Sequence, residues 1–149
     1  MMKHLHLACW FLLFGALAGC GLKKYPNTLE KNLLVRTTVS GSLFNSVEAY
    51  LHVYDPKDDC KKDYLGAIKL KNGDTHVGIP VGRPVHVDFV FYANAQVHNP
   101  SIVTLLPGER YIALVRYVDR IYSLSIREIG SHGVPGREIP YQKSHCPPP

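Results

Sequence analysis

The chain has 149 residues, enough for one domain of ordinary size. A hydrophobic fraction of 46% and a charged fraction of 19% exclude an intrinsically disordered protein. The formal net charge of +5 is spread along the chain instead of forming the basic stripe with interleaved aromatics that suggests nucleic-acid binding, so no nucleic-acid partner is expected.

The first predicted element is a signal peptide over residues 1–19. Lys3 makes a weakly positive head, and residues 7–17 are apolar. An apolar stretch of this length fits the roughly 7–15 residues of a signal peptide and is shorter than the roughly 20 of a transmembrane helix. It ends in Leu17-Ala18-Gly19-Cys20, which resembles the lipobox of bacterial lipoproteins.

This resemblance implies that Cys20 carries diacylglycerol on its sulfur, that the chain is cleaved before it, and that the new N-terminus often takes a further fatty acid. Two or three acyl chains would hold the protein in a lipid bilayer, because one chain binds only marginally. In such lipoproteins an Asp after the lipidated Cys favours the inner membrane. Here that residue is Gly21, so the expected location is the outer membrane, facing the periplasm. The alternative is an ordinary secretory signal with a coincidental Cys.

Residues 20–32 follow as the lipidated N-terminus and a tether. They are polar, contain Pro26, and show no regular period. We expect a flexible segment that reaches about 40 Å when fully extended.

Residues 33–129 show the period-two alternation of half-buried strands, and no convincing helical stripe interrupts them. Asn72-Gly73 and Asp119-Arg120 are each expected to join two strands in a hairpin. The predicted strands are 33–40, 46–54, 64–71, 74–80, 85–93, 102–106, 109–118 and 121–129. The predicted fold class is all-β, an antiparallel two-sheet β-sandwich of about seven or eight strands. Residues 130–149, rich in Gly and Pro, are expected to form an extended tail.

The cysteines predict one disulfide. Cys9 would leave with the signal peptide and Cys20 would carry lipid, which leaves Cys60 and Cys146 in an oxidising compartment. A bond between them would tie the tail to the loop after the second strand and add about 4–5 kcal/mol in the chain-entropy model. The alternative, a reactive Cys60, needs a His partner, and none is near it in the sequence.

The chain resembles a loosely defined group of uncharacterised proteobacterial lipoproteins with transthyretin-like sandwiches. That resemblance implies architecture and no assigned activity. A small lipoprotein of type VI secretion machinery has a similar sandwich and binds a membrane partner, so an accessory role in a secretion apparatus is an alternative. The matching features are the lipobox, Tyr54-Asp55-Pro56 followed by Cys60, the turn 79–84, and the segment 106–111.

No segment has the pattern of an active site. The chain lacks G-x-S-x-G, H-E-x-x-H and a phosphate-binding Gly loop, so we expect neither an enzyme nor a cofactor. His86 and Asp88 share a strand face, and His52 could meet them if the strands were neighbours. A metal site usually needs three or four such ligands. A periplasmic metal or small-ligand binder therefore stays an alternative.

One strand face suggests an interaction surface. Aromatic and imidazole side chains alternate onto the expected solvent side of two strands, at Tyr50, His52, Tyr54, His86 and Tyr92. Tyr is enriched in protein interfaces, although aromatic residues also sit well on any exposed sheet. The predicted function is a non-enzymatic binding or scaffolding module of the cell envelope, with an envelope protein as its partner.

Overall fold

The computed structural model describes residues 21–41, 46–57, 60–130 and 132–146. In these ranges the chain forms strands and no helix, so none of its elements is a helix that could span a membrane. The strands are β1 Leu33–Val39, β2 Glu48–Pro56, β3 Lys62–Leu70, β4 Gly73–Val77, β5 Pro84–Tyr92, β6 Gln96–Thr104, β7 Tyr111–Val118, β8 Ile121–Ile129, β9 Pro135–Glu138 and β10 Gln142–Lys143.

The strands form two five-stranded sheets, which confirms the all-β sandwich. The first sheet has the order β4-β1-β7-β8-β9 and the second the order β10-β6-β5-β2-β3. All neighbours are antiparallel except β1 and β7, which pair in parallel from Leu33 opposite Tyr111. The predicted antiparallel arrangement holds for the other strand pairs and differs at this one, because both strands start at the same end of the molecule.

The core lies between the sheets and is built by the alternation seen in the sequence. Val35 and Ala113 in the first sheet, and Leu51 and Phe89 in the second, are almost completely buried. Phe91 stacks on Tyr117 across the gap, with ring centroids 4.8 Å apart. Burial of large apolar side chains such as these is the main stabilising term of the fold.

The Asn72-Gly73 dipeptide does not make the predicted hairpin. β3 belongs to the second sheet and β4 to the first, so the dipeptide turns the chain from one sheet to the other. The Asn72 side chain takes the place of a strand partner: Val39 N donates to its Oδ1 at 2.6 Å, and its Nδ2 donates to Val39 O at 2.9 Å. An Asn-Gly dipeptide specifies the local geometry of a turn, but it does not determine which strand the following segment pairs with. The Asp119-Arg120 hairpin is confirmed, with both residues at positive φ as in a type I′ turn.

Asn72→Ala is expected to destabilise the protein by about 1–2 kcal/mol, because both backbone groups of Val39 lose their partner. Urea unfolding of the variant measures this loss. Lys71→Ala, at the exposed preceding residue, is the control. A variant as stable as its parent would contradict the role of Asn72.

The segment before β1 is part of the fold, so the predicted flexible tether is wrong over residues 23–32, hereafter the N-terminal strap. Ala67 N donates to Lys23 O at 2.8 Å, and Tyr25 N donates to Ala67 O at 3.0 Å, which adds the strap to the edge of β3. The Tyr25 side chain is 4% exposed and donates its hydroxyl to Gly78 O at 2.9 Å. The ring of Tyr25 therefore fixes a segment that looked like a linker.

Two glycines let the strap approach the sheets. A Cβ on Gly66, which has φ +141°, would lie 2.5 Å from Tyr25 N, and one on Gly78 would lie 2.4 Å from Leu29 O. Any larger residue would push the strap away. Asn32 completes the attachment by exchanging two hydrogen bonds with the backbone of Ile79.

The tail after β8 is extended, as predicted, but it is paired with both sheets. β9 adds to the edge of the first sheet and β10 to the edge of the second. Cys146 then forms a disulfide with Cys60, which confirms the predicted bond.

β6 starts at Gln96, earlier than the predicted Ile102, and makes a hairpin with β5. The folded domain therefore extends beyond the predicted range 33–129 at both ends.

Candidate functional site: the outer face of the second sheet

The five residues of the predicted interaction face lie together on the outer side of the second sheet. β2 and β5 are neighbours, and their register places His52 opposite Asp88 and Tyr54 opposite His86. Tyr50 and Tyr92 lie toward the other end of the same two strands, with ring centroids 5.5 Å apart. The structure thus brings these residues together; their role in binding stays a prediction.

Half of this face is buried, which the alternation did not indicate. Tyr54, His52 and His86 are 3%, 7% and 2% exposed, so the interpretation of these histidines as solvent-facing is wrong. The ring of Tyr54 contacts His86 edge-on at 5.4 Å. On its other side it meets Tyr64 at 5.1 Å. Large rings from neighbouring strands pack sideways against one another and leave little room for solvent.

The structure adds two residues that sequence reasoning did not place in this site: Tyr64 and His98. Tyr64 comes opposite Tyr54 because the pairing of β2 with β3 shifts between Val53 and Tyr54. His98 was missed because β6 was predicted to start too late. Asp88 was predicted to share a strand face with His86, and the structure places it there, opposite His52.

The Asp88 carboxylate is completely buried at the centre of this face. It accepts a hydrogen bond from Asn99 N at 2.8 Å and pairs with His98 Nδ1 at 2.7 Å. A buried carboxylate requires hydrogen-bonding partners of this kind, because the free-energy cost of transferring it from water into the protein is otherwise very high. Asp88 therefore locks β5 to β6 from the outer side.

The two buried imidazoles resist protonation. Burial lowers the pKa of His52, against the attraction of Asp88 and with a smaller lowering from His98. Burial and then Lys62 lower the pKa of His86, again against Asp88. Lys62 Nζ lies 3.4 Å from His86 Nε2 and 4.9 Å from the ring centre of Tyr54. His52 and His86 are therefore neutral near pH 7.

Stability is expected to fall as the solution becomes acidic. The unfolded chain, with histidine pKa values of about 6.5, takes up protons before His52 and His86 do in the folded state. The stabilisation that the neutral His52 and His86 provide is therefore complete above about pH 6.5, and it is lost as the pH falls through the pKa values that these residues have in the folded state. Urea unfolding between about pH 8 and pH 5 measures the slope. His52→Gln should reduce it, with the exposed His132→Gln as control; an unchanged slope would contradict the account.

The accessible half of the face is the Tyr50–Tyr92 patch, made of these two half-buried rings. Glu48 accepts the Tyr50 hydroxyl at 3.2 Å and also pairs with Lys69, whose ammonium lies 5.7 Å from the Tyr50 ring centre. A hollow of about 370 Å³ opens between Tyr50 and the N-terminal strap, where Leu22, Lys24 and Lys69 line it. The patch is aromatic and has charged residues at its rim.

Polar atoms in the buried half are not all paired. His52 Nε2 and the Tyr64 hydroxyl have no hydrogen-bond partner among the described residues.

No group of three or more His, Cys, Asp or Glu in the described part of the chain is placed to hold a metal ion. Cys60 is bonded to Cys146 and has no free thiol. The signal peptide, the lipobox and Cys20 lie outside the described residues.

Comparisons with known proteins find no match: no protein-family profile, no curated protein and no solved structure is similar to this chain.

Proposed function

We propose that this protein is a lipid-anchored component of the cell envelope whose sandwich binds a partner protein and catalyses no reaction. The lipobox at residues 17–20 carries the proposal, because small residues before a Cys at the end of a short apolar stretch are what lipoprotein processing requires. The Cys60–Cys146 disulfide supports it, since such bonds persist in oxidising compartments. The partner is an envelope protein, and an accessory protein of a secretion apparatus is one form of this function.

The Tyr50–Tyr92 patch is the surface we assign to the partner. Tyr supplies a large amphipathic contact area at low entropic cost, and these two rings already hold each other at 5.5 Å. Glu48 and Lys69 provide a polar rim of the kind that surrounds an aromatic interface centre.

Crosslinking in intact cells, followed by purification and mass spectrometry, tests the proposal. We expect the lipidated protein to capture one envelope protein, and both Cys20→Ser and the double variant Tyr50→Ala/Tyr92→Ala to lose it. Ile121→Ala, at an exposed position of the first sheet, is the control. If the parent and all three variants captured the partner equally, neither the patch nor the anchor would contribute to the interaction.

A further inference from the structure

Exposed apolar side chains concentrate at one end of the sandwich. This end, hereafter the strap pole, is formed by the connections that lead into β5, β7 and β9. Leu29 of the strap lies beside it, and a shallow hollow of about 250 Å³ opens among Leu29, Val81 and Pro107. The exposed large apolar residues here are Leu29, Val81, Leu106 and Val134. At the opposite end the described residues expose only Ile121 among large apolar side chains.

The first residues of the strap run in the direction that leads away from this pole. The strap pairs with β3 in parallel at Lys24 and Ala67, and β3 begins at the strap pole, where Lys62 pairs with the last residue of β2. At Lys23 and Lys24 the strap therefore runs away from the strap pole. Leu22, the residue before this segment, is exposed.

The distance from the lipobox cysteine to the fold is short. Only Gly21 and Leu22 separate Cys20 from Lys23, whose carbonyl is already bonded to Ala67. Three extended residue steps reach about 11 Å at most. A lipid on Cys20 would thus hold the sandwich close to the bilayer, whereas a long flexible tether would let it move away.

We propose that the strap pole rests on the lipid bilayer, with Leu29, Val81 and Leu106 entering the boundary between headgroups and acyl chains. This inference rests on the proposed lipid anchor at Cys20. A contiguous exposed apolar patch on a soluble domain marks an interaction site, and apolar faces of anchored proteins enter the membrane boundary by about 5–10 Å. Because only two residues separate Cys20 from the strap, the bilayer is the surface that lies within reach of this apolar patch.

This orientation also places the partner surface. Tyr92 pairs with Glu48 at the end of the second sheet that is farthest from the strap pole. β5 has nine residues and spans about 30 Å. The Tyr50–Tyr92 patch therefore points away from the bilayer, where a second envelope protein can reach it.

Tryptophan fluorescence tests the orientation directly. Trp10 is the only Trp of the chain and would leave with the signal peptide, so one introduced Trp is the only one in the processed protein. Leu106→Trp probes the strap pole and Ile121→Trp is the matched control, at positions that are 53% and 71% exposed. Each lipidated variant is reconstituted into phosphatidylcholine–phosphatidylglycerol vesicles with and without acyl-chain-brominated lipid.

We expect brominated lipid to quench Leu106→Trp about twofold and to leave Ile121→Trp unchanged. Equal, unquenched emission from both variants would overturn the inference. So would a blue shift of Leu106→Trp that appears with rising concentration of the soluble Cys20→Ser protein, because a second copy would then cover the pole. Flotation of the protein with vesicles reports the anchor separately: protein that floats but is not quenched contradicts only the orientation, whereas protein without lipid contradicts the anchor.

Discussion

Replacing Cys146 with Ser is expected to lower the free energy of unfolding by about 4 kcal/mol. The disulfide joins residues 86 positions apart, so it removes a large amount of conformational freedom from the unfolded chain. It also holds a short end: β10 has only two residues, and Ser144 N donates to Pro100 O just before the cysteine. Guanidinium unfolding measures the loss.

Two comparisons identify the bond as the cause. Cys60→Ser should lose the same stability as Cys146→Ser, and the parent protein treated with a reductant should match both. The reduced protein should also become sensitive to trypsin at Lys143, once β10 can leave the edge of β6. Reduced protein that is as stable as the oxidised form would show that the disulfide does not contribute.

Asp88→Ala is expected to destabilise the protein by about 2–3 kcal/mol, although Asp88 lies on the outer side of its sheet. The substitution leaves Asn99 N without its acceptor and His98 Nδ1 without its side-chain partner. An amide that is partly withdrawn from water and loses its acceptor costs about 1–3 kcal/mol, and the space left by the carboxyl group adds to the loss. Thermal or urea unfolding measures it.

The matched control for Asp88 is an exposed pair. Arg36 and Asp74 make a bidentate salt bridge between β1 and β4 in which both side chains are exposed. Arg36→Ala should cost much less than Asp88→Ala, because solvent screens such pairs. Similar losses for the two variants would contradict the buried role of Asp88.

The strands could be predicted from the sequence because alternation is local. Ala49, Leu51 and Val53 alternate with larger polar and aromatic residues, and this pattern alone indicates which side of β2 faces the core. Pairing is not local: Asn72-Gly73 has the composition of a hairpin, yet the chain crosses to the other sheet. The strap shows the same limit: Tyr25 becomes a core residue because Gly66 admits its backbone closely and Gly78 admits that of Leu29.

The composition of the candidate site was predictable, and its burial was not. Period-two spacing places Tyr50, His52 and Tyr54 on one face without knowledge of the fold. Their exposure depends on rings that come from other strands, chiefly Tyr64, and on the pair formed by Asp88 and His98. These contacts require the register of four strands, which no single segment encodes.

The strap changes the physical picture of the proposed anchor. A flexible tether of about 40 Å would let the sandwich sample a wide shell above the membrane. With Lys23 and Tyr25 bonded to Ala67, the free segment shrinks to two residues. A lipid on Cys20 would then set the orientation of the domain as well as its location, and would present the Tyr50–Tyr92 patch to the periplasm.

The intact mass of the processed protein, isolated from the membrane fraction, tests the central proposal most directly. The account predicts a chain that begins at Cys20, with the added mass of diacylglycerol on that residue, and a Cys20→Ser variant that lacks the lipid and leaves the membrane fraction. A chain that begins at any other residue, or an unmodified Cys20, would contradict the lipid anchor.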